Sequence, residues 1–164
     1  MIITLTGANF SANNIGKVNG EVYNSYVGSA VFCNTGLRIS KTGESSPWVE
    51  EVNGTTASST NLIEVKSTDS VWIQYVFNKS GLHSAGAFYD ENQSLITALD
   101  YVDFGVELNP SSSGAGAFAT IQPTNRVAIA DVESETGKKV KYVRFTSWSN
   151  STGGIANTEA RIYH

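Results

Sequence analysis

The chain has 164 residues, 16% of them charged, and a net charge of −4, so the basic footprint of a nucleic-acid binder is absent. Ser, Thr, Asn and Gly supply 64 of the 164 residues. They stand where Lys and Glu would coat helices, which argues against an all-α protein. Hydrophobic residues at 40% and aromatics at 10% exclude a disordered chain, and the length is that of one domain.

Period-2 alternation predicts strands throughout. Residues 2–6 read as a short strand and residues 8–20 as an Asn/Gly-rich loop or extended arm. Residues 21–33 fit either a short helix or a strand. Further strands are predicted at 36–40, 47–52, 61–66, 70–77, 85–90, 94–99, 103–108, 117–121, 126–130, 140–147 and 157–163. Residues 53–60, 109–116 and 149–154 read as loops. Strands recurring every roughly 8–12 residues mark a sandwich or barrel. Parallel α/β folds need long helices between strands, and none is found. The expected fold class is therefore all-β and antiparallel, with under about a tenth of the residues helical.

Motifs for catalysis, metal or nucleotide are weak. The single cysteine, Cys33, allows no intrachain disulfide and no Cys-based zinc site, and its apolar neighbours suggest a buried thiol. Gly114–Ala119 matches GxGxxA, but lacks the preceding strand and following helix that a dinucleotide site needs. No GxSxG elbow occurs. His83 falls in a predicted turn and His164 is the last residue, so no histidine pair has metal-ligand spacing. Carboxylates are scattered: Asp100 and Asp103 flank Tyr101-Val102, and Asp90-Glu91-Asn92 reads as a β-turn before a calcium cage. Lys138, Lys139, Lys141 and Arg144 read as the solvated face of a hairpin. The N-terminus shows no basic and apolar leader pattern, and no membrane span is expected. The expectation is a non-enzymatic protein without cofactor or metal.

Alternation also assigns faces. In 70–77, Val71, Ile73, Tyr75 and Phe77 form the core face, leaving Trp72 and Gln74 outside. In 141–148, Val143 and Phe145 point inward, and Tyr142, Arg144, Thr146 and Trp148 share the outer face. An aromatic–Arg–Thr–aromatic row suits a sugar ring, unless a strand, loop or subunit covers it. Trp48, after Pro47 at a strand start, is a further candidate. The candidate glycan-binding residues are Trp148, Arg144, Tyr142, Trp72, Gln74 and Trp48.

Residues 61–66 (NLIEVK), a Thr68-Asp69 turn, 70–77 (SVWIQYVF), 86–96 (GAFYDENQSLI), 126–130 (RVAIA) and 140–146 (VKYVRFT) form a familiar pattern. It resembles a β-sandwich module found in phage tail spikes and fibres, and beside secreted glycan-active enzymes of gut bacteria. The resemblance covers roughly residues 36–147, with FYDEN and KYVRF its most specific parts. It implies a jelly-roll fold similar to carbohydrate-binding modules and supplies no catalytic residues. The chain departs from the pattern at Ile129–Lys139, where an acidic-then-basic hairpin is expected in place of a short link. The opening ITLTGANFSANNIGKV is similar to the start of phage fibre and decoration proteins.

The resemblance implies two regions, an attachment and oligomerisation arm over 1–35 and a sandwich over 36–164. It implies a virion surface protein, a fibre, tip or decoration subunit. Its expected partners are copies of itself in a homotrimer, other virion proteins through the arm, and host-surface glycans, with no nucleic acid and no membrane. The alternative is a carbohydrate-binding module of a secreted bacterial enzyme, placed outside or on the bacterial cell.

Overall fold

The computed structural model describes residues 13–18, 21–52, 57–74, 82–100, 103–104, 126–148 and 158–164. The strands expected at 2–6 and 117–121, the loops at 109–116 and 149–154, and the GxGxxA segment lie outside the described residues, as does most of 103–108.

In chain order the elements are β1 (Asn13–Val18), β2 (Glu21–Val27), β3 (Asn34–Thr35), β4 (Leu37–Ser40), β5 (Val49–Val52), β6 (Ser58–Ser59), β7 (Ile63–Glu64), β8 (Ser70–Gln74), β9 (Ser84–Tyr89), β10 (Leu95–Asp100), β11 (Val127–Ala128), α1 (Ile129–Thr136), β12 (Tyr142–Ser147) and β13 (Glu159–Tyr163). Sheet one has the order β1-β2-β13-β8-β11, and sheet two the order β10-β9-β12-β6-β3, with β7 also on β12. Strands β4 and β5 make a separate two-stranded sheet. The pairings are antiparallel, so the all-β expectation holds.

The two larger sheets pack face to face. Val71, Ile73, Ala160 and Ile162 of sheet one meet Phe88, Val143 and Phe145 of sheet two in one buried cluster. Strand β13 shows why: Ala160 and Ile162 alternate inward and Arg161 outward, as period 2 requires. Gly86 of β9 lies under an aromatic ring. A Cβ there would fall 2.9 Å from Cζ of the buried Phe104 ring, so a side chain has no room.

One open choice is settled and two segments differ from expectation. Residues 21–33 are strand β2 followed by a turn in which the Val31 and Phe32 amides donate to the Gly28 carbonyl. The stretch read as an arm contains β1 and β2, and β2 is hydrogen-bonded between β1 and β13. Strand β2 is thus part of sheet one, and the Asn/Gly-rich residues 13–18 are its edge partner. The predicted strand 126–130 stops at Ala128, and the expected 129–139 hairpin is instead α1. Ile129 and Val132, three residues apart, bury one helix face, and Gly137 at φ 67 closes the helix with its amide on the Glu133 carbonyl. No Ser, Asp or Asn side chain caps the start; the Ile129 amide donates to the Asp69 carbonyl at 2.9 Å. Among the described residues no helix is long and apolar enough to cross a membrane.

Candidate functional site

Sheet two has an outer face that β9 and β12 build together. Tyr142 is register partner to Tyr89, and Arg144 to Ala87. Further along, the Trp148 ring lies flat on the His83 ring, and Thr146 Oγ1 is 2.8 Å from Ser59 Oγ. Tyr142 and Arg144 therefore share one side of β12, while Trp148, one residue past the strand, also packs into the main core cluster.

The predicted row does not face solvent along its length. All six residues of β9 are buried, which requires cover on both of its faces. The core covers one, and the β4–β5 hairpin covers much of the other. Ile39 of β4 is wholly buried in a second cluster with Ala87, Tyr89 and Ala98. Ser40 bridges to His83 through the backbone, and the Lys41 amide donates to the Leu82 carbonyl at 2.9 Å. Arg38 lies 5.9 Å from the Trp148 ring centre and ion-pairs with Glu51 at 2.7 Å. Trp148 is 3% exposed, and its Nε1 donates to the Ser84 carbonyl at 2.7 Å. The expectation of an outward Trp148 is corrected: parity chose its side of the sheet, and the hairpin and His83 occupy that side.

Beside this, Glu50 of β5 accepts a hydrogen bond from the Tyr89 hydroxyl and lies 3.6 Å from Arg144 Nη1. Arg144 keeps only 12% of its side chain exposed, and its Nε is buried without a partner. The Tyr89 hydroxyl titrates well above its ordinary range. Burial is the main cause, and the hydrogen bond to Glu50 and that residue's charge add to it, so Tyr89 stays a donor. His83 titrates below its ordinary 6.5, through burial first and the Arg38 charge second.

Trp72 is the second correction. It leaves sheet one on the outer face yet is only 1% exposed. Arg161, its register partner on β13, stands 4.6 Å over the Trp72 ring and 4.5 Å over Tyr23. Glu159 holds Arg161 at 2.6 Å and accepts from Ser25 Oγ at 2.8 Å. This ladder of cation and rings spans the outer face of sheet one and is a packing arrangement. Gln74 ends β8 opposite Glu159, separated from the sheet-two row by the sandwich.

Trp48 and Tyr142 are the predicted aromatics that keep partial exposure. Both pack on the Ile39/Ala87/Tyr89/Ala98 cluster, together with the partly buried Leu62 and Leu95. Lys41 Nζ stands 4.7 Å over the Trp48 ring, and Lys141 Nζ pairs with Glu64 on the neighbouring β7. The site is thus a patch of two rings and two leucines around Arg144 and Glu50. Sequence reading names Tyr142 and Arg144 in one row and Trp48 apart from it. It missed Glu50, Tyr89, Leu62 and Leu95, because only the placement of the hairpin joins them.

Cys33, expected to be buried, is exposed. Among the described residues no group of three or more His, Cys, Asp or Glu gathers as a metal site. The chain matches no protein-family model, no curated protein and no solved structure.

Proposed function

We propose that this chain is a non-enzymatic adhesion protein, a β-sandwich of jelly-roll type that binds host-surface glycan through the Trp48–Tyr142 patch. The observation that carries the reading is the convergence of these two rings, distant in sequence, on one outer cluster beside an arginine. Aromatic faces stack on the apolar face of a pyranose while flanking polar groups meet its hydroxyls. The virion setting, as fibre, tip or decoration subunit, rests on the sequence resemblance. A patch of two rings binds weakly alone, so adhesion relies on several copies acting together, which a homotrimer supplies.

A glycan array probed with the intact protein tests this. Binding is expected to at least one bacterial-surface glycan, and Trp48→Ala or Tyr142→Ala is expected to weaken it about tenfold, the loss typical of a buried aromatic anchor. Binding untouched by both substitutions would remove the patch, and an empty array would remove the glycan.

A further inference from the structure

We propose that the β4–β5 hairpin is a latch over a carboxylate-binding cleft, and that Glu50 holds the place taken by the carboxylate of an acidic sugar. This names the ligand class of the patch described above and rests on that reading.

Three observations converge. Arg144 is under-used: among the described residues its ion pair is with Glu50, 3.6 Å from Nη1, its guanidinium stands 5.6 Å from the Tyr89 ring centre, and its Nε is buried without a partner. A guanidinium fork matches a carboxylate through two parallel hydrogen bonds, and Glu50 does not make them. The second donor aimed at the same carboxylate is the Tyr89 hydroxyl. A ligand carboxylate displacing Glu50 would inherit both donors, with its ring over Tyr142 and toward Trp48. Of the hairpin's cations, Arg38 is already matched by Glu51 at 2.7 Å and Lys41 stands over the Trp48 ring, so displacing Glu50 leaves Arg144 of β12 without its carboxylate.

The hairpin is tied to sheet two at Ser40 and Lys41 but shares little apolar contact with it. It belongs to neither large sheet, and Ile39 is its one fully buried residue. Val49 and Val52 on β5 stand 52% and 76% exposed, so β5 contributes little apolar anchoring. Segments with few buried apolar contacts open at a small fraction of the global unfolding free energy. The Glu50 side chain is 36% exposed, so its carboxylate is open to exchange with a solute.

Glu50→Gln removes the internal competitor and keeps the shape. Calorimetry would compare oligogalacturonate and sialyllactose with their carboxyl-reduced counterparts. The expected result is that Glu50→Gln binds an acidic sugar about fivefold or more tighter than the parent, the scale of one partly exposed ion pair. The reduced counterpart should be unaffected, Arg144→Gln should lose the acidic preference, and Arg144→Lys should recover part of it. Hydrogen exchange of the β4 and β5 amides should quicken in Glu50→Gln while β8 and β13 stay protected. Acidic and reduced sugars binding alike in every variant, with loss on Trp48→Ala, would overturn the latch and leave the glycan reading standing. Unchanged hairpin exchange in Glu50→Gln would also overturn the latch. Neither sugar form binding, with an empty array, would overturn both.

Discussion

Trp148 and His83 lie face to face, their ring centres 3.8 Å apart and their planes 5° from parallel. One ring comes from the end of β12 and the other from the start of β9, so the stack fastens the outer face of sheet two where the hairpin crosses it. Burial, and then the charge of Arg38, hold the imidazole below its ordinary 6.5 and so keep it neutral at pH 7.

A neutral ring held this way makes stability depend on pH with a definite sign. The folded-state value lies below the unfolded one, so the contribution is complete above about 6.5 and is lost as pH falls through the folded value. Between pH 7 and pH 5 the parent should lose melting temperature and tryptophan fluorescence faster than His83→Gln. Parallel profiles for the two proteins would contradict a buried neutral His83.

Gly86 faces Phe104 with no space for a methyl group. Gly86→Ala must displace the buried Phe104 ring and should destabilise the protein by about 1–3 kcal/mol, the usual overpacking cost. Chemical denaturation reads this directly, and a shift under about 0.5 kcal/mol would mean that the ring moves freely.

Trp72 and Trp148 are structural. Trp72→Ala should cost about 3–5 kcal/mol through the cavity it leaves beneath Arg161. Any loss of glycan binding in that variant should disappear when binding is expressed per folded molecule. Loss of binding at full folding would return Trp72 to the site.

Much of this was legible from residue order alone. The β9–β10 hairpin follows from alternation on either side of Asp90, whose Oδ1 accepts the Asn92 and Ser94 amides at 2.9 Å as a turn aspartate should. The two faces of β12 also followed from parity. Parity says on which side of a sheet a side chain leaves, but not what lies above it, so it places Trp72 on an outer face and leaves open whether the row with Trp148 is covered. The hairpin over β9 is fixed by Ile39 and the partly buried Trp48 among its apolar residues, too faint a signal to place it. Helix α1 is short and has no side-chain cap at Ala128; its Gly137 terminus and the Ile129/Val132 spacing were the available cues.

The proposed trimer makes a prediction independent of sugar. Light scattering of the full chain should return three times the 17.6 kDa of one copy. A single copy at micromolar concentration would leave adhesion to the isolated patch, whose weak binding would then need another source of multivalency.

The most direct test of the adhesion patch uses the three tryptophans as reporters of place. Each indole N–H gives its own resonance in a nitrogen-edited proton spectrum, and titration with the best array glycan shows which one meets it. The account predicts that the Trp48 resonance shifts with saturation while those of Trp72 and Trp148 stay in position. A saturating glycan that moves Trp72 or Trp148 and leaves Trp48 unchanged would contradict it.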